Sequence, residues 1–115
     1  MENLKTKWLE ALRSGKYKQG TLALKTVGER FCCLGVLADI HPDYKWVEKK
    51  YDFDDEPFFD AVTRDYECHE VLSSTLIPGD VQEKLARLND NDRWSFDEIA
   101  EYIEEHASED LKEWS

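Results

Sequence analysis

The chain changes from a helical to an extended pattern within Leu12-Arg13-Ser14-Gly15-Lys16-Tyr17-Lys18-Gln19-Gly20. Before this stretch, apolar residues recur at helical spacing behind Asn3, which is a favoured N-cap residue. Gly15 fits the left-handed position that commonly ends such a helix. After the turn, residues 17–26 are predicted to form a strand, although polar and apolar side chains alternate imperfectly there. The stretch therefore joins a helix to a sheet, which favours the α+β class.

The most apolar run of the chain lies just downstream, from Phe31 to Ile40. We expect a strand to end at Phe31 and a short buried helix to follow from about Cys32, ending before Pro42. Gly35 within that helix would allow another element to pack closely against it. The middle segment, residues 41–75, is the least informative part of the sequence. It is predicted to be a variable, insert-like segment with an acidic loop at 52–57 and a strand at 66–72.

Two further helices are predicted in the C-terminal third. Pro78-Gly79-Asp80 opens the first of them, and the polar run 89–92 ends it. Ser95 caps the second helix, and Glu98 at the third helical position completes a capping box. The chain is thus predicted to be one α+β domain over residues 1–115, in which a small antiparallel sheet packs against three or four helices.

Charge is distributed unevenly along the chain. The net charge is -11, yet residues 1–30 hold seven Lys or Arg against three acidic residues, whereas residues 31–115 hold eight against 23. A local cationic surface on an otherwise acidic molecule suits a small anion better than nucleic acid. The sequence contains no apolar run of the length that a membrane span needs. Neither nucleic acid nor a membrane is therefore an expected partner.

The cationic turn is the candidate binding site, and its predicted ligand is a small nucleotide-like anion that carries phosphate. Arg13 offers a planar fork, whereas Lys16 and Lys18 offer point charges. Tyr17 could stack on a base. The turn residues assigned to this site are Arg13, Ser14, Lys16, Tyr17, Lys18, Gln19 and Gly20, with Gln19 reading a base edge and Gly20 allowing close backbone approach. An ordinary structural role is the alternative, since cations near a helix C-terminus offset its negative end.

Asn89 and Asp90 are assigned to the opposite wall of the same site, where either could bind a sugar hydroxyl. Their alternative role is a polar turn between two helices. The run 89–92 suggests calcium ligands by composition, but it lacks the glycine and the terminal glutamate of an EF-hand loop.

Catalytic and metal chemistry receive less support from the sequence. If Cys32 or Cys33 lay at a helix N-terminus, its thiol pKa would fall, and His41 or His69 could then serve as a base. A cysteine-dependent hydrolase is therefore a minor alternative. Zinc-ligand spacing and phosphate-loop fingerprints are absent from the sequence, so no catalytic residue, metal or cofactor is predicted. Adjacent cysteines and a polar N-terminus favour a reducing cytoplasm.

Four motifs occur in a specific order along the chain. They are W-x3-LRSG-x-Y-x-QG from Trp8, CCLGVL-x-D from Cys32, LND from Leu88 and SF-x2-IA-x2-IE from Ser95. In this order they resemble small, mostly uncharacterised accessory proteins of tailed bacteriophages, over residues 8–40 and 76–105. The resemblance implies a phage protein that acts in the cytoplasm of a bacterial host. Phage accessory proteins of this kind often counter host defences.

The leading hypothesis combines this resemblance with the charge pattern. It is a phage-encoded inhibitor of host defence that binds and sequesters a phosphate-bearing nucleotide immune signal without cleaving it. The alternative is an acidic inhibitor that mimics nucleic acid and binds a host defence or regulatory protein. Its carboxylates would be those of the last predicted helix: Asp97, Glu101, Glu104 and Glu105. Four tryptophans and the apolar middle segment are also compatible with a homodimer.

Overall fold

A computed structural model describes residues 3–21, 24–26, 28–42, 44–49, 58–63 and 77–115 of the chain. Within these ranges there are four helices and five strands, and the predicted α+β class is confirmed. The strand predicted at 66–72 lies outside the described residues. In chain order the elements are α1 (Leu4–Arg13), β1 (Lys18–Gln19), β2 (Lys25–Thr26), β3 (Arg30–Phe31), α2 (Cys33–Ile40), β4 (Tyr44–Lys49), β5 (Phe58–Thr63), α3 (Gly79–Asp90) and α4 (Phe96–His106).

The five strands form one sheet in the order β1-β3-β2-β5-β4. Three neighbouring pairs are antiparallel, as predicted, whereas β1 runs parallel to β3. This mixed pairing arises because β3 returns from β2 and inserts between β2 and β1. The middle segment supplies β4 and β5, which pair over six residues from Tyr44↔Thr63 to Lys49↔Phe58. Residues 41–75 therefore contribute the two longest described strands to the sheet.

Local sequence signals set the helix ends where they were predicted. The Asn3 side chain accepts a hydrogen bond from the Thr6 backbone N–H at 2.8 Å, which caps α1. Gly15 follows that helix with a φ of 77°, in the left-handed region. At α4, Ser95 Oγ accepts from the Glu98 backbone N–H at 3.2 Å, and the Glu98 carboxylate accepts from the Ser95 N–H at 3.1 Å. The predicted capping box is thus confirmed.

Helix α2 lies at the centre of the core. Its residues 33–38 are all buried, and it contacts α1, α3, β3 and β4. Trp8 of α1 is fully buried, and its indole N–H donates to the Cys33 carbonyl at 3.0 Å. The apolar stripe of α4 completes this core with Phe96, Ile99, Ala100 and Ile103. Within the described ranges, none of the helices combines the length and the apolar composition that crossing a bilayer requires.

Gly35 allows the predicted close approach to α2. The Leu24 carbonyl, just before β2, accepts a hydrogen bond from the Cys32 backbone N–H at 3.2 Å. A Cβ atom at Gly35 would lie only 1.9 Å from that carbonyl oxygen. Because both partners are backbone, neither can move away without displacing its own element.

Gly35→Ala is expected to lower the free energy of unfolding by about 3 kcal/mol or more, since the added methyl must displace α2 from β2. Urea unfolding followed by circular dichroism measures this change. Gly79→Ala is the matched control, because a Cβ at Gly79 meets nothing within 4 Å. That control should be neutral or stabilising by up to about 1 kcal/mol. Equal stability of the two variants would contradict the close contact.

Candidate functional site

The nine predicted site residues lie in three separate places. Lys16, Tyr17 and Lys18 line one cleft, whereas Gln19, Asn89 and Asp90 line another. Gly20 lies beside the second cleft, where its carbonyl accepts from the Asn89 side chain at 2.8 Å. The structure places Arg13 and Ser14 among the residues that line neither cleft.

Arg13 and Ser14 have structural contacts. The Arg13 guanidinium forms a salt bridge of 2.6 Å with the Glu104 carboxylate on α4. This guanidinium lowers the pKa of the Glu104 carboxyl. The Ser14 hydroxyl donates to the Ala11 carbonyl at 2.7 Å and accepts from the Lys16 N–H at 3.1 Å, at the end of α1. In this structure the Arg13 guanidinium thus makes a contact between α1 and α4, and the phosphate-fork role predicted for it stays a prediction.

The first cleft, here called the lysine cleft, has a volume of about 290 Å³. Its lining residues are Lys16, Tyr17, Lys18, Lys25, Gly28, Glu29, Phe31 and Asp39. The Asp39 carboxylate on α2 accepts hydrogen bonds from the Tyr17 hydroxyl at 2.7 Å and from the Trp46 indole N–H at 3.0 Å. The Tyr17 ring also meets the Phe31 ring edge-on, with centroids 5.0 Å apart. The side of the cleft that carries Tyr17 is thus held in place before any ligand binds.

Burial is the main cause that raises the pKa of the Tyr17 hydroxyl, and the hydrogen bond to Asp39 raises it further. This hydroxyl therefore stays protonated and remains a donor to Asp39 over the whole physiological range. The role predicted for Tyr17 is base stacking. A base that stacks there would meet a ring whose hydroxyl is already hydrogen-bonded to Asp39.

Lys25 is a lysine of this cleft that sequence reasoning missed. Its ammonium lies 5.5, 5.3 and 5.2 Å from the ring centroids of Phe31, Trp46 and Phe59, respectively. Three rings around one cation hold it by cation–π attraction. No local sequence signal marks this role, because two of the three rings, Trp46 and Phe59, lie far along the chain in the middle segment.

The second cleft, here called the Asn89 cleft, has a volume of about 390 Å³. Its lining residues are Gln19, Thr21, Asn89, Asp90, Arg93 and Trp94. The Gln19 side-chain amide donates to Asn89 Oδ1 at 2.9 Å and to the Trp94 carbonyl at 2.6 Å. Asn89 in turn donates to the Gly20 carbonyl and to the Asp90 carboxylate, each at 2.8 Å. Asn89 and Asp90 therefore lie beside Gln19 and Gly20 of the turn, whereas Lys16 and Lys18 line the other cleft, and the predicted role of the pair at a ligand stays a prediction.

A third concave surface, here called the α4 groove, lies along α4 with a volume of about 310 Å³. It is lined by Trp94, Glu98, Glu101, Tyr102, Glu105 and His106. The Lys84 ammonium lies 5.3 Å from the Tyr102 ring centroid, so one cation already sits against an aromatic ring of this groove. Glu104, which the sequence assigned to the acidic face, points to Arg13 instead.

The two cysteines of α2 lie in the core. Cys32 is the N-cap residue, where its sulfur accepts from the Gly35 N–H at 3.4 Å. Burial raises the pKa of the Cys32 thiol to about 11, and it also raises the pKa of Cys33. The expectation of a lowered thiol pKa is therefore wrong, because desolvation outweighs the field of the helix N-terminus. In the described part of the chain, no three His, Cys, Asp or Glu side chains come together in a way that could hold a metal ion.

Comparison with known proteins gives one match. The model of a family described as "Domain of unknown function (DUF8296)" matches residues 1–107. Neither the curated proteins nor the solved structures provide a match.

We expect Cys32 and Cys33 to resist alkylation in the folded protein at pH 8, because both thiols are buried and remain protonated. Their modification by iodoacetamide, measured by peptide mass spectrometry, should rise at least about tenfold in concentrated urea. Resistance should persist at pH 9, where an ordinary thiol is largely ionised. Rapid modification of either residue in the folded state would revive the nucleophile hypothesis.

Proposed function

Because the family model matches residues 1–107, the chain belongs to the DUF8296 family, and we propose that it binds a small phosphate-bearing nucleotide in the lysine cleft. One observation carries this proposal. Lys16, Lys18 and Lys25 line a single cleft of about 290 Å³ in a protein whose net charge is -11. Among the described residues, no carboxylate forms an ion pair with any of these three lysines.

The lysines suit phosphate oxygens rather than a flat anion. An ammonium group is a compact point charge with three donors, and it can donate hydrogen bonds to phosphate oxygens in several orientations. Lys16 and Lys18 are exposed, whereas Lys25 is held among its three rings. Phosphate would therefore meet one cation that the rings position and two cations that face solvent.

The remaining lining suits the rest of a nucleotide. Tyr17 and Phe31 offer aromatic surface, against which a base can pack. Glu29 and Asp39 offer carboxylate oxygens that can accept from a base amino group or a sugar hydroxyl. A cleft of this size lies at the lower end of the range for small-molecule sites, and the net charge of -11 disfavours the binding of long polyanions.

Binding without cleavage is the form of this function that we propose. The lining residues comprise cations, rings and two carboxylates, and neither Cys32 nor Cys33 is among them. A binder of this kind acts by mass action, since each ligand molecule held in the cleft is withheld from its receptor.

The biological setting that we propose follows from the sequence motifs. The protein would be a phage product in the cytoplasm of a bacterial host, and its ligand would be a nucleotide signal of host immunity. Native mass spectrometry of protein purified from bacteria, followed by mixing with cyclic dinucleotides and ADP-ribose derivatives, identifies the ligand and shows whether it is released intact. The same spectrum counts the copies of the chain, and the homodimer stays a prediction until then.

The double substitution Lys16→Ala, Lys18→Ala should weaken ligand binding at least about tenfold, because two phosphate contacts are lost. Titration calorimetry measures the affinity, which should also fall as salt rises. The matched control is Lys7→Ala, Lys112→Ala, which removes two exposed lysines elsewhere and the same charge. If both double variants bind equally well, the lysine cleft is not the site.

The α4 groove favours a second candidate function, the binding of a basic segment of a host protein. Three glutamates surround an aromatic residue whose ring already attracts Lys84. A lysine or arginine from a partner would find the same combination of carboxylate and ring.

Charge reversal on α4 separates the two functions. Glu101→Lys with Glu105→Lys should abolish protection of phage from host defence if the groove acts, and should leave protection unchanged if the lysine cleft acts. Plaque counts on a defended host give the readout, with Lys16→Ala, Lys18→Ala tested in parallel. Glu104 is left intact because it holds Arg13. Loss of protection in the α4 variant alone would replace the nucleotide proposal with the protein-binding one.

A further inference from the structure

The Asn89 cleft contains hydrogen-bonding groups that have no partner among the described residues. Both side-chain amide groups donate within the protein, Gln19 to two acceptors and Asn89 to two others. Gln19 Oε1, the second carboxylate oxygen of Asp90, the Thr21 hydroxyl and the Arg93 guanidinium form no hydrogen bond with any described residue. The cleft thus presents acceptors from Gln19 and Asp90 and a planar donor group from Arg93.

The buried side chain of Asn89 fixes the positions of the neighbouring groups that line the cleft. Asn89 is only 1% exposed, and its hydrogen bonds connect α3 with the Gln19 side chain and the Gly20 carbonyl, and also reach the Asp90 carboxylate. A fully satisfied buried polar network of this kind holds its members in one arrangement. The Asp90 carboxylate is therefore oriented before any ligand arrives.

Arg93 adds an opposite charge that forms no ion pair with any residue in the described part of the chain. Arg93 and Asp90 line the same cleft, yet no ion pair forms between them. Arg93 has a φ of 55°, in the left-handed region that non-glycine residues seldom adopt. A carboxylate and a guanidinium in one cleft, not in contact with each other, can bind two different parts of one ligand.

We propose that the Asn89 cleft binds an anionic sugar, meaning a ring with neighbouring hydroxyl groups that also carries a phosphate or a carboxylate. The hydroxyls would donate to Asp90 and Gln19, and the anionic group would take the Arg93 fork. Trp94 is the aromatic residue of this lining, and sugar C–H groups pack well on such a surface. This site is distinct from the lysine cleft and does not depend on the proposed nucleotide function.

Two tryptophan indoles report the two clefts separately in a ¹H–¹⁵N correlation spectrum. Trp94 lines the Asn89 cleft, whereas the Trp46 indole N–H donates to Asp39 of the lysine cleft. Ribose 5-phosphate at millimolar concentration should shift the Trp94 indole signal and the Gln19 and Asn89 side-chain amides. Ribose alone and inorganic phosphate alone should shift them at least about tenfold more weakly, because each lacks one half of the ligand.

Galacturonate, a sugar that carries a carboxylate instead of a phosphate, is the second probe. It distinguishes the two anionic groups that the proposal allows. Binding of ribose 5-phosphate alone assigns a sugar phosphate, and binding of galacturonate alone assigns a sugar acid. Shifts confined to the Trp46 indole would overturn this inference while supporting the lysine cleft. No shift at Trp94 with either probe would also overturn it, and would leave the nucleotide proposal untouched.

Substitutions test the assigned roles without unfolding the protein. Arg93→Gly removes the fork and also removes an unfavourable backbone conformation, so its melting temperature should be equal or higher while ribose 5-phosphate affinity falls about tenfold or more. Asp90→Asn keeps an acceptor for Asn89 but removes the charge, and it should weaken binding of the same probe. Lys112→Ala serves as the control for loss of a surface cation. Unchanged affinity in Arg93→Gly would contradict the proposal.

Discussion

The contact between the Leu24 carbonyl and the N-terminal turn of α2 is the constraint on which the rest of the structure depends. The Cys32 N–H donates to this carbonyl, and the missing side chain at Gly35 leaves room for it. A carbonyl dipole is favourable there, since a helix N-terminus carries partial positive charge. The contact fixes β2 against α2, and two residues of the lysine cleft follow from it. Lys25 is the next residue after Leu24, and Asp39 lies one helical turn beyond Gly35 on the same side of α2.

The buried Asn89 network holds the other side of the molecule together. It connects the end of α3 to the edge strand β1, which is only two residues long and would be weakly fixed by its pairing with β3 alone. Side chains alternate along a strand, so neighbouring residues of β1 face opposite ways. Lys18 therefore lines one cleft and Gln19 the other. A single short strand thus separates a cationic surface from a mixed polar one.

Much of the fold could be predicted from the sequence because its signals are local. Gly15 and the Ser95–Glu98 box each act within a few residues, and each has its predicted role. Gly35 also has its predicted role, because a glycine inside an apolar helix indicates close packing even when the partner segment is unknown. The candidate site depended on contacts between distant residues, which composition does not reveal. The Arg13–Glu104 salt bridge joins residues 91 positions apart. The same limit applies to Cys32: the sequence predicts a buried helix that begins near it, but it does not show that desolvation outweighs the helix N-terminus and raises the pKa of the thiol.

The cationic excess of the first thirty residues serves two purposes, since some of its cations hold helices together and others line a cleft. Lys5 donates to the Glu104 and Ala107 carbonyls at 3.1 and 2.6 Å, where the C-terminus of α4 carries partial negative charge. Together with Arg13, it stabilises the packing of α1 on the acidic helix. The cationic charge of this region that is available to a ligand is therefore smaller than the sequence indicates, because Lys5 and Arg13 are used in the packing of α1 on α4. Lys16, Lys18 and Lys25 keep their charges in one cleft, and the net charge of -11 still disfavours a long polyanion there.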